Sequence, residues 1–158
     1  MIPKTTDQWL DEYGVSHQNS INKLIHWFCV PLIYLDILGL VWALPTPNFM
    51  TDIAWLNWGS IGSLLVIAFY IRLSPSLAIG LTLFNILCCA LLVAYDAYVT
   101  FPLWITCVVA FVVLWVLQFI GHHIEGAKPS FFKDLQFLLI GPAWLMGFIY
   151  RRMRIPYS

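Results

Sequence analysis

Long apolar stretches separated by short polar joints run through the chain: Leu24–Leu44, Ala54–Ile71, Leu77–Tyr95 and Thr100–Ile120. Each meets or approaches the roughly 20 residues that an α-helix needs to cross a bilayer core. The joints carry turn chemistry, at Pro45–Asn48, at Ser74–Ser76 and from Asp96 to Pro102. This pattern predicts an all-α integral membrane helical bundle with four transmembrane helices in a single domain. A fifth apolar stretch, Phe131–Tyr150, carries Lys133 and Asp134 near its start and Gly141-Pro142 in its middle. Lipid does not hydrogen-bond the backbone groups that such an interruption frees. The stretch is therefore expected to form an interfacial or re-entrant helical hairpin.

Composition agrees with the pattern. Of the 158 residues, 61% are hydrophobic and 10% charged, against about 45–50% and about 25% in soluble domains. Eight basic and eight acidic side chains cancel, so no bulk attraction to nucleic acid is expected. Cys29, Cys88, Cys89 and Cys107 lie within apolar runs without CxxC spacing, which fits neither a disulfide framework nor a thiolate zinc site. Met1–Tyr13 is polar and acidic, unlike a signal peptide. With four spans, Lys4, Lys23, Arg72, Lys128, Lys133, Arg151, Arg152 and Arg154 all fall on one side, which the positive-inside rule makes cytoplasmic. A fifth full span would move the Arg151–Arg154 cluster to the opposite side. Both termini are thus expected in the cytoplasm. The short tails favour a bacterial inner membrane over the endoplasmic reticulum.

All four histidines fall at that same predicted surface. His17 precedes the first span, His26 lies in its opening turn, and His122 and His123 end the fourth. Histidine in or near a span is costly and faces a bundle interior or polar cavity. Asn22 and His26 share a helical face, as do Gln118, His122 and Glu125. His17 and His26 are nine residues apart, about 180° apart on one continuous helix. They converge only if the chain bends between them, and Asn19 or Ser20 can cap a helix restarting there. Pro31 is expected to kink the first span. Clustered imidazoles near a carboxylate suit Fe(II) or Zn(II), with Asn22, Gln118 and Glu125 orienting the imidazoles, or Glu125 coordinating directly. Spacing alone leaves this open against histidines that only hydrogen-bond headgroups or loop carbonyls.

Taken in order, Tyr13-x3-His17-x4-Asn22-x3-His26-x4-Pro31, then Gln118-x2-Gly121-His122-x2-Glu125-x3-Pro129 and Gly141-Pro142, the sequence resembles the yeast-type 2-hydroxy fatty acid dioxygenase family. The yeast member acts in conversion of phytosphingosine to odd-chain fatty acids. The likeness covers nearly the whole chain, with Cys29 standing where a small residue is common. It implies an Fe(2+) enzyme that uses molecular oxygen to shorten a 2-hydroxy fatty acid by one carbon, with membrane lipid around it. Its ligand positions carry over to His17, His26 and His122, and His123 is the fourth candidate. Asn22, Gln118 and Glu125 are the supporting candidates. Four histidines favour one metal over two.

Two other readings use the same residues. A zinc-dependent membrane hydrolase would employ Glu125 as general base on a metal-bound water. A non-catalytic lipid-binding scaffold would leave the histidines without metal. Arg72 or Lys128 is a candidate partner for a substrate carboxylate. Asp36 is expected to be a protonated packing group, Asn85 an interhelical hydrogen-bonding group and Asp96 a solvated end residue. Trp42, Trp55, Trp58 and Trp104 sit near span ends as an aromatic belt.

Overall fold

A computed structural model describes residues 4–53, 55–126 and 137–157. Among these the chain is helical and contains no strand. The elements are α1 (Thr6–Gly14), α2 (Ser20–Trp42), α3 (Asn48–Thr51), α4 (Trp58–Leu73), α5 (Pro75–Tyr98), α6 (Leu103–Glu125) and α7 (Ile140–Met153).

Local chemistry sets most of these boundaries. A capping box starts α1: the Thr5 hydroxyl accepts from the Gln8 amide, and the Gln8 side chain accepts from the Thr5 amide. The chain then turns, and the Asn19 side chain accepts from the Ile21 amide to cap α2. The bend expected between His17 and His26 is therefore present, with the helix restarting at the expected cap. The helix α2 continues through Pro31 to Trp42. A second capping box, Asn57 with Ser60, delays α4 to Trp58. Ser74 caps α5 and Pro75 occupies its first turn, where the missing amide proton is no loss.

Three helices, α2, α5 and α6, are long and apolar enough to cross a membrane. The expected second span is shorter: α4 has 16 residues, about 24 Å against a hydrocarbon core of about 30 Å. The expected hairpin lies partly outside the described residues, as do Lys128, Pro129 and Lys133. Its described part is α7, and there Gly141-Pro142 opens a helix instead of interrupting one. First-turn amides have no intrahelical partner, so proline is tolerated in that turn. Residues Ile140 to Leu145, Gly147 and Tyr150 are buried, so protein covers the first half of this helix all round, while Ile149 and the last turn are exposed.

The helices share two ends. At one end lie α1, the start of α2, the α4–α5 joint, the end of α6 and the C-terminal segment. Ser74 Oγ donates to the Tyr157 carbonyl at 2.6 Å, Ser76 Oγ to Pro156 at 2.8 Å, and the Tyr150 hydroxyl to Ser76 at 2.9 Å. At the other end Trp42 Nε1 donates to the exposed Asp96. Between them, Tyr34 donates to Asn85 at 2.7 Å, the interhelical bond expected of Asn85. Asp36 is buried beside Cys107. Rows of exposed apolar residues remain on the outside, such as Leu83, Leu87 and Leu91 on α5 and Val109, Val112 and Val116 on α6. Water does not tolerate a contiguous surface of this kind, and lipid does.

Close packing deep in the bundle depends on Gly39, where a Cβ would lie 2.7 Å from Cys107 Sγ and 3.3 Å from Leu92 Cδ2. Gly39→Val is expected to destabilise the bundle by roughly 1–3 kcal/mol, with partial recovery on adding Cys107→Ala. Unfolding in detergent micelles measures both. An unchanged melting temperature for the single variant contradicts this packing.

Candidate metal centre

The imidazoles of His17, His26 and His122 meet where the α1–α2 turn, the first turns of α2 and the last turns of α6 come together. Ring centroids are 4.1 Å apart for His17–His26, 5.0 Å for His26–His122 and 5.4 Å for His17–His122. One ligating nitrogen from each lies within 4.8 Å of the others, and all three residues are buried.

Hydrogen bonds choose the tautomers. His17 Nδ1 lies 2.6 Å from the Tyr13 carbonyl, and His26 Nδ1 lies 2.9 Å from the Asn22 carbonyl. A carbonyl only accepts, so each Nδ1 carries the proton and each Nε2 keeps a lone pair. Both partners are four residues upstream, one turn back. His17 Nε2 is buried and has no hydrogen-bond partner among the described residues, an expensive arrangement unless something else takes its lone pair. This orphaned nitrogen, together with two further imidazoles at ligand spacing, fits a transition-metal ion.

Aromatic rings hold His17 in place. Tyr13 stacks on it at 4.3 Å with an interplanar angle of 9°, and Trp144 of α7 lies 5.3 Å away. Tyr13 itself packs against Trp144 and edge-on to Phe137. Burial strips water from any imidazolium and pushes the His17 pKa down from 6.5 to about 4. His122 adds to this, whereas the Tyr13 carbonyl and Glu125 oppose it. His17 is therefore neutral at pH 7, the state that binds metal.

Asn22 is fully buried. Its backbone carbonyl orients His26, and its amide nitrogen donates to the Ser16 carbonyl at 3.1 Å and to Glu125 at 2.9 Å. Glu125 is not a member of the histidine cluster. Its carboxylate accepts from the Gln18 amide at 2.7 Å, the Asn19 amide at 2.9 and 3.1 Å, and Asn22. Gln118 is buried one turn before His122. His123 is exposed, about 100° round α6 from His122, and does not join the converging nitrogens. Arg72 is exposed at the end of α4. Sequence reasoning did not find Tyr13 or Trp144 as ring neighbours of His17, nor Phe137 behind Tyr13. Of these only Tyr13 left a signal, its position one turn before His17.

A family model described as 2-hydroxy-palmitic acid dioxygenase Mpo1-like matches residues 4–153. The chain belongs to this family. The match spans both histidine pairs and all seven described helices. No curated protein and no solved structure matches the chain. The family name points to a 2-hydroxy fatty acid dioxygenase-like function, and the three histidines form a cluster that could bind a metal.

The depressed His17 pKa has a consequence for stability with a definite sign. Between pH 6.5 and about 4 the unfolded chain takes up a proton on His17 and the folded chain does not. Folding stability is therefore lost as pH falls through that window. Metal-free protein is expected to melt at a lower temperature at pH 5 than at pH 7, with a smaller difference in His17→Gln. Equal differences in the two proteins would show that His17 is not buried in the neutral state.

Proposed function

We propose that this chain is an Fe(II)-dependent dioxygenase of 2-hydroxy fatty acids, working at the cytoplasmic face of a membrane. The observation that carries the reading is the buried triad His17, His26 and His122, with nitrogens within 4.8 Å of one another, in a chain of this family. These three imidazoles would hold the metal, and His123 is left to solvent. Bound Fe(II) would supply a redox-active centre where a 2-hydroxy carboxylate and molecular oxygen meet.

The overall reaction balances without another reductant. A 2-hydroxy acid and O2 give the acid one carbon shorter, carbon dioxide and water. The carboxyl carbon leaves as carbon dioxide, the hydroxyl carbon becomes the new carboxyl group, and oxygen takes four electrons. No flavin or haem is required.

The residues contribute orientation, dryness and charge. The Tyr13 and Asn22 carbonyls hold the Nδ1 protons of His17 and His26, which turns the ligating nitrogens inward. Tyr13, Trp144 and Phe137 exclude water on the α1–α7 side. Gln118, buried one turn deeper than His122 on the same helical face, is assigned to orienting the bound acid. Lys23, Arg72 and Arg151 share this end of the bundle with the cluster, which favours an anionic headgroup there. The acyl tail would remain in the apolar environment of the spans. A zinc hydrolase would need Glu125 as base, but both its oxygens are already engaged by Gln18, Asn19 and Asn22.

Protein reconstituted anaerobically with Fe(II), then given 2-hydroxypalmitate and oxygen, is expected to release the C15 acid, detected by mass spectrometry. His17→Ala, His26→Ala and His122→Ala are each expected to lose iron and turnover together, and His123→Ala to keep both. Absence of the shorter acid from iron-loaded wild type, or full iron retention in His26→Ala, overturns the reading.

A further inference from the structure

We infer that Glu125 is a positioning residue: its carboxylate latches the last turn of α6 to the first turn of α2 and so holds His122 against His17 and His26. The inference rests on the metal-site reading above and removes Glu125 from the roles of ligand and base.

The placement of this acid is unfavourable by the rules of its own helix. A negative charge in the last turn of α6 faces the negative end of that helix's dipole. Across the joint, however, it meets the positive end of α2. It accepts from Gln18 and Asn19, whose amides lie just ahead of α2, and from the Asn22 side chain. Charge-assisted bonds of this kind are the stronger class, and they connect residues more than one hundred positions apart. Glu125 follows His122 by one turn, so fixing it fixes the orientation of the imidazole behind it. Asn22 receives the latch with its side chain and orients His26 with its carbonyl. The same residue thereby couples both halves of the triad. Gly121 permits this approach, since a Cβ there would lie 2.4 Å from Asn22 Oδ1.

The test uses the full chain in detergent loaded with Cu(II), with coordinated imidazoles counted by pulsed electron paramagnetic resonance. Wild type is expected to show three, and Glu125→Ala two, with metal affinity weaker by about tenfold or more. Glu125→Gln, whose side-chain oxygen still accepts from the Gln18 and Asn19 amides, is expected to keep the third imidazole, with affinity closer to wild type than in Glu125→Ala. Three imidazoles and unchanged affinity in Glu125→Ala overturn the inference. Three imidazoles with weakened affinity in Glu125→Ala, and no better affinity in Glu125→Gln, also overturn it, in favour of direct ligation. Hydrogen exchange at the Gln18 and Asn19 amides, read on metal-free protein, is expected to be slow in wild type and fast in Glu125→Ala. If wild type binds no metal, the functional reading fails, and this exchange measurement still decides the latch. If Glu125→Ala does not fold, the same exchange comparison is made with Glu125→Leu, which keeps the bulk and accepts no hydrogen bond, and unchanged rates there count against the latch.

Discussion

Where the end of α6 crosses the start of α2, backbone and polar side chains meet with no room to spare. Gly121 faces the Asn22 amide across a gap that a single methyl group would fill. Around that contact the structure must satisfy polar groups inside an apolar bundle, and burial makes each unsatisfied group expensive. Glu125 answers the exposed amides ahead of α2, Asn22 answers Glu125 and Ser16, and the carbonyls of Tyr13 and Asn22 answer two imidazole protons. Among the described residues His17 Nε2 and Asn22 Oδ1 stay buried without a hydrogen-bond partner, and the lone pair on His17 Nε2, beside two further imidazoles, fits a metal ion.

The rest of the bundle serves this junction by holding helix ends in register. The bonds from Ser74, Ser76 and Tyr150 tie the C-terminal segment to the α4–α5 joint. They also set α7 so that Trp144 reaches the Tyr13–His17 stack. Deeper down, the Tyr34–Asn85 bond and the Gly39–Cys107 approach pin α2 to α5 and α6. Such contacts matter more in lipid than in water, because association of apolar helices there gains little from the hydrophobic effect and rests on packing and hydrogen bonds.

Much of this was legible in the residues. Long apolar runs and turn chemistry predicted four spans, and three of the helices, α2, α5 and α6, are long and apolar enough to cross a membrane. The nine-residue separation of His17 and His26 demanded a bend, and Asn19 caps the helix that follows it. The second span was read too long because an apolar run does not reveal that Asn57 and Ser60 will start the helix late. Gly141-Pro142 was read as an interruption because composition does not tell a first turn from a helix interior. His123 stood beside His122 in sequence, but one residue is about 100° of helix rotation, enough to put it on the exposed side.

By itself the sequence determined which side chains are available and on which helical face each lies, since a 3.6-residue repeat is a local property. It also determined that polar groups are scarce enough for their clustering at one end to be informative. Only the tertiary structure decided which faces meet. Trp144 against His17, and Glu125 on the amides of Gln18 and Asn19, are contacts between segments more than one hundred residues apart. No local periodicity encodes such a pairing; it follows from how the helices pack and from the need to satisfy each buried polar group where they meet.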